Sequence, residues 1–153
     1  MKKYYLAYGS NLNLFQMAYR CPTAKPIGTI NLEGYRLVFR GGNNGYAYLT
    51  IEPDENSYIP MGLFELSFFD IKNLDVYEGY PDFYYKDTIP VKVGDKNKMA
   101  LIYIMNKGFD YHLPSYKYIK TCIEGYRDFG FNPELLKKAY EDTYNFMNSP
   151  KHK

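Results

Sequence analysis

Through its first hundred residues the chain repeats one pattern. Short aromatic and β-branched runs are cut by Gly, Pro, Asn and Asp at intervals of about eight to twelve positions. Such spacing rules out the alternating strand–helix rhythm of a doubly wound sheet and predicts many short, mostly antiparallel strands. Strands are expected over 3–8, 25–29, 33–40, 46–52, 61–66, 84–93 and 98–105. Gly41-Gly42-Asn43-Asn44-Gly45 reads as a hairpin turn, Pro53-Asp54-Glu55-Asn56 as another, and Gly94-Asp95-Lys96-Asn97 as a hairpin loop. The 19 Tyr and 10 Phe, with no Trp, suit pleated half-buried surfaces and support the same reading.

Helices are predicted over 13–19, 67–77, 115–129 and from Asn132-Pro133 to about 146. Ser67 and Asp70 stand at capping-box spacing, and Phe68, Ile71 and Leu74 recur at helical intervals. Pro133 occupies a first-turn position behind Asn132. The fold class expected is α+β: a small, mostly antiparallel β-barrel with a few flanking helices. One domain over 1–147 and a frayed tail over 148–153 complete the outline.

Charge is nearly balanced, at +2 from 19 basic and 17 acidic residues, which argues against nucleic acid or an anionic membrane as partner. No apolar run reaches the roughly 18 residues of a membrane span, and the first strand breaks at Gly9 before a signal-peptide core could form. A cytoplasmic protein is expected, with Cys21 and Cys122 as two reduced thiols. No His/Cys/Asp cluster has metal-ligand spacing, and no nucleotide-binding glycine motif occurs, so neither metal nor cofactor is expected. A homodimer is compatible with so many aromatics.

Two local signals carry chemistry. Tyr8-Gly9-Ser10-Asn11-Leu12 ends a strand in a sharp turn that exposes backbone amides ahead of a helix. It serves equally as an anion site or as a capped helix entry. Glu78 ends the predicted 67–77 helix in Leu74-Asp75-Val76-Tyr77-Glu78-Gly79, with Tyr77, Tyr80, Tyr84 and Tyr85 nearby in sequence. The helix dipole and partial desolvation both raise a carboxylate pKa at such a place, which would fit it for acid–base work. The plainer alternative is a surface Glu in a helix-ending turn. A serine hydrolase built on Ser10 lacks both the nucleophile-elbow motif and a well-placed histidine, since only His112 and His152 exist.

In combination and in this order, the two signals resemble the gamma-glutamylcyclotransferase-like family. Gly45-Tyr46-Ala47, Ile51-x-Pro53 and Met61-Gly62 look like its middle strands, and Pro114-Ser115-x-x-Tyr118 with Gly125 like its C-terminal helix. The resemblance spans roughly residues 4–140. It implies a small barrel with helices, Glu78 as catalytic acid/base, and substrate binding by Tyr8, Gly9, Ser10, Asn11, Leu12, Tyr85 and Tyr118, with Tyr84 and Tyr116 as neighbouring competitors for the last two. The implied reaction cyclises a small gamma-glutamyl substrate to 5-oxoproline and frees an amine or amino acid, without metal, cofactor or covalent intermediate. The leaving-group side would involve Tyr80, Phe83 and 109–113. A non-catalytic module that binds a small carboxylated metabolite is the rival reading.

Overall fold

The computed structural model describes residues 2–41 and 46–149. The chain runs β1 (Lys3–Ala7), a 3-10 turn (Ser10–Leu12), α1 (Leu14–Arg20), β2 (Lys25–Gly41), β3 (Ala47–Leu66), α2 (Phe68–Tyr77), β4 (Tyr84–Val93), β5 (Lys96–Met105), β6 (Asp110–Tyr111), α3 (Tyr116–Asp128) and α4 (Glu134–Met147). The strands form one sheet in the order β4-β5-β1-β3-β2-β6. Every neighbouring pair is antiparallel except β1 with β5. The fold is therefore α+β with a mostly antiparallel sheet and flanking helices. The sheet is open at β4 and β6, so "barrel" is too strong a word: β6 contributes only Asp110–Tyr111, and no ladder joins it to β4 among the described residues.

Two long strands replace four expected short ones. β2 and β3 pair from Lys25↔Glu65 to Gly41↔Ala47, with register shifts at Pro26/Gly28 and Glu33/Tyr35. The turn residues act as expected locally but do not end the strands. Gly34 takes a left-handed φ of 85°, and opposite it residues 54–57 lie between the Tyr35↔Pro53 and Glu33↔Tyr58 pairs. Within that bulge Asp54 accepts bonds from the Asn56 amide and the Ser57 hydroxyl. Long-range pairing then continues with the same partner strand. The 94–97 loop tightens to a two-residue turn, with Val93 opposite Lys96 and Gly94 at φ 65°. Residues 42–45 of the expected 41–45 turn, and 150–153 of the expected tail, lie outside the described residues.

The helices start where their caps stand. Asn13 accepts from the Gln16 amide at 3.1 Å and Ser115 from Tyr118 at 3.2 Å, whereas α4 begins behind Pro133 with no side-chain cap, and Asn132, one residue further out, accepts from the Glu134 amide at 3.0 Å. Ser67 and Asp70 form the reciprocal capping box of α2. Asp70 is buried and also accepts from the Thr23 hydroxyl, which ties α2 to the segment after α1. Removing the cap hydroxyl with Ser67→Ala is expected to cost about 1 kcal/mol, read as a lower urea midpoint at unchanged slope. The apolar spacing of α2 overstates its burial. Leu74 enters the core, Ile71 is partly covered, and Phe68 stays 61% exposed.

Leu6, Phe39, Phe64, Ile102 and Tyr126 are among the fully buried side chains between sheet and helices. Cys21 and Cys122 are buried and free. Among the described residues, no helix is long and apolar enough to cross a membrane.

Candidate active site

At the end of β1 the chain turns at Gly9 into the Ser10–Leu12 turn, closed by Leu12 N–H donating to Gly9 O and Asn13 N–H to Ser10 O, both at 3.0 Å. The amides of Ser10 and Asn11 are left without an intrahelical partner. α3 packs directly behind this turn at Gly125, where a side chain would collide with the backbone of Leu12 and Asn13. Asn13 Nδ2 donates to Thr121 O at 3.1 Å, and the Leu14 amide to Asp128 Oδ2 at 2.9 Å. The loop is thus clamped from the C-terminal part of the chain.

A cleft of about 260 Å³ opens in front of the turn. Tyr8, Gly9, Ser10 and Asn11 line one side and Glu78 faces them. Asn11 Nδ2 donates to Glu78 Oε1 at 3.0 Å and to Tyr5 Oη at 2.8 Å. Glu78 is the C-cap of α2, as the sequence pattern predicts. Burial of its carboxyl pushes its pKa up to about 7, against the opposing pull of the Arg20 charge and the Asn11 hydrogen bond. Lysine and arginine are absent from the described lining, and Glu78 is its one carboxylate.

Tyrosines build the remaining wall. Tyr8 Oη donates to Tyr103 O at 2.6 Å, and Tyr84 Oη to Leu49 O at 2.7 Å. The Leu49 amide donates to Tyr118 Oη at 3.1 Å, so Tyr84 and Tyr118 hold the two polar groups of one β3 residue. Tyr48 packs edge-on against Tyr118 and Phe83, at centroid separations of 5.0 and 5.8 Å. Beneath them Asp75 accepts from Tyr103 Oη at 2.6 Å and from Lys86 Nζ at 3.0 Å, which fixes α2 to β4 and β5.

Of the residues singled out from sequence, Tyr8, Gly9, Ser10, Asn11, Glu78 and Tyr118 meet in the cleft. Leu12 is fully buried in the core beside it. Tyr85 is 39% exposed and does not line the cleft; its neighbour Tyr84 does. Phe83 lines it, with Phe109 edge-on behind at 4.8 Å, whereas Tyr80 is outside the lining and carries the Lys86 ammonium over its ring. Tyr5, Tyr48 and Tyr103 also line the cleft; each lies in a predicted strand whose pattern does not mark it as a site residue. Arg20 left no sequence signal. It donates from Nη1 to Asn11 Oδ1 at 2.6 Å and to Ser10 Oγ at 3.3 Å.

Comparison with known proteins gives a family and a fold. The sequence model of the family described as "Gamma-glutamyl cyclotransferase, AIG2-like" matches residues 5–121. A structure titled "Gamma-glutamyl cyclotransferase" superposes with a TM-score of 0.78 at 19% identity, covering 97% of this chain and 99% of that one. The uncharacterized protein loc79017 from Homo sapiens gives 0.77 at 20% identity, with the same coverages. YkqA from Bacillus subtilis gives 0.70 at 20% identity over 97% of this chain and 55% of that one. At these identities the structural likeness is one of fold. A search of curated proteins finds no match.

Proposed function

Because the chain belongs to the gamma-glutamyl cyclotransferase, AIG2-like family, we propose that its cleft cyclises a gamma-glutamyl amide, with Glu78 as the proton carrier. The observation that carries this reading is a single carboxyl, half-buried and with a pKa near 7, facing the Gly9–Asn11 loop across a cleft of metabolite size. A carboxyl so tuned takes up and returns a proton at neutral pH.

The substrate brings its own nucleophile. The α-ammonium loses a proton to Glu78, and the freed amine attacks the γ-carbonyl carbon. The C–N bond to the leaving amine breaks as Glu78 returns the proton to that nitrogen. The ring nitrogen sheds its second proton to the departing amine, which leaves as an ammonium; the products are 5-oxoproline and that protonated amine or amino acid, and Glu78 is again a carboxylate. Because attack is intramolecular, holding the bent conformer is the main task, and such orientation supplies up to about 7–11 kcal/mol. Free amides of Ser10 and Asn11 are suited to the substrate carboxylate or to the developing oxyanion. The absence of lysine and arginine from the described lining favours these dipoles over an ion pair for that purpose.

The test is a panel of gamma-glutamyl dipeptides, gamma-glutamyl-lysine, a gamma-glutamylated amino alcohol and glutathione, scored for 5-oxoproline by mass spectrometry. Release from at least one compound is expected, and the best substrate identifies the leaving group. Saturable binding with no product from any of them would overturn the enzyme reading in favour of a binding module.

A further inference from the structure

Arg20 does not line the cleft, yet it grips the residue that links the loop to Glu78. It ends α1, where the helix dipole favours a cation, and its guanidinium lies 3.7 Å above the Tyr77 ring. From there Nη1 reaches Asn11 Oδ1 at 2.6 Å and Ser10 Oγ at 3.3 Å. A guanidinium has donors only, so the Asn11 atom facing it must be the amide oxygen. The Asn11 NH2 is then left with one direction, toward Tyr5 Oη at 2.8 Å and Glu78 Oε1 at 3.0 Å. Turning the amide over would press its NH2 against the guanidinium and its oxygen against the Glu78 carboxyl, breaking the two hydrogen bonds of this buried side chain that cannot reverse direction.

We propose that Arg20 is a positioning residue: it locks the Asn11 amide in one orientation and thereby fixes the Glu78 carboxyl. Its kinetic consequence rests on the reading of Glu78 as proton carrier, whereas the Arg20–Asn11–Glu78 chain of contacts does not. Arg20 also supplies the positive charge near Glu78. The other titratable groups coupled to that carboxyl are Tyr5 of β1, Tyr8 after it, Tyr84 of β4, Tyr103 of β5 and Tyr118 of α3. Burial pushes all five up, so they stay neutral through the range in which Glu78 titrates.

The experiment follows the Glu78 carboxyl carbon and the Asn11 side-chain amide by NMR in the full chain, for the native protein, Arg20→Gln and Arg20→Lys. In Arg20→Gln the Glu78 midpoint is expected to rise by about one pH unit, and the Asn11 NH2 to exchange faster with solvent. Arg20→Lys retains the charge on a flexible stem without the planar fork. Its midpoint is expected to stay near the native value while Asn11 exchange still quickens. In the kinetic arm, the acid limb of kcat/KM moves up in Arg20→Gln, and kcat falls about tenfold with KM nearly unchanged. A folded Arg20→Gln with native Asn11 exchange overturns the proposal, whatever the Glu78 midpoint does, since loss of the charge alone would move that midpoint. Should Arg20→Gln not fold, native Asn11 exchange in Arg20→Lys overturns it. Absence of 5-oxoproline from the native protein refutes the enzyme reading alone, and the NMR arm still decides the role of Arg20.

Discussion

Glu78→Gln is expected to slow 5-oxoproline release by about 10²–10⁴-fold, with the fold intact. The amide matches the carboxyl in shape and can still accept the Asn11 bond at 3.0 Å, but it cannot take a proton from the substrate ammonium. In the native protein, kcat/KM should rise with pH through a midpoint near 7, because the ionised form is the base. That limb should vanish from the residual activity of the variant. Stability gives an independent check. The folded pKa of about 7 exceeds the ordinary 4.5, so the unfolded chain releases this proton at lower pH than the folded one. The contribution of Glu78 to stability is therefore full below pH 4.5 and is lost as pH rises through 7. With allowance for water in the cleft, the loss is about 2 kcal/mol. Denaturant titrations should find Glu78→Gln more stable than the native protein at pH 8 and convergent with it at pH 4. A variant less stable than the native protein at pH 8 would show that the carboxyl is not carried at a cost.

The second large effect is steric. In Gly125→Ala the new methyl would lie 2.5 Å from Asn13 N and 2.7 Å from the Leu12 carbonyl carbon. Both are backbone atoms, so no rotamer change relieves the contact. α3 cannot withdraw freely, since Thr121 and Asp128 anchor it to the same turn. The expected cost is about 1–3 kcal/mol in denaturant unfolding. The displaced segment carries Ser10 and Asn11, and a shift of about 1 Å there should lower kcat/KM by roughly 10²-fold. Gly28→Ala is the control. Its methyl would meet nothing within 4 Å, so it should be nearly neutral in both assays.

Much of this architecture is legible in the sequence where a residue acts on its own neighbours. The Ser67/Asp70 box, the caps at Asn13 and Ser115, the loop at Gly9 and the place of Glu78 at a helix end are all local chemistry. What escapes a local reading depends on partners far along the chain. Gly34 and the Pro53-Asp54-Glu55-Asn56 turn look like strand ends, yet Gly34 and residues 54–57, facing each other, form one bulge in a continuous β2–β3 ladder. β6 is two residues, too short to carry a pattern. Tyr84 and Tyr85 differ only in strand parity, and the side that meets the cleft is set by the register Tyr84↔Met105 with β5. Arg20 resembles any helix-ending cation until Asn11 is seen against it.

The clamping of the Gly9 loop by α3 has a consequence in time as well as in space. The loop and Glu78 are both made by the middle of the chain, but the helix that braces the loop and the hydroxyl that closes on Leu49 come from residues 116–128. During synthesis from the N-terminus, the carboxyl proposed as proton carrier is made before the last part of the wall it faces. A nascent chain halted before α3 would hold Glu78 and the Ser10–Leu12 turn without the helix that braces that turn or the Tyr118 hydroxyl of the cleft wall, so the cleft is expected to be complete only when the sheet and its last helices have come together.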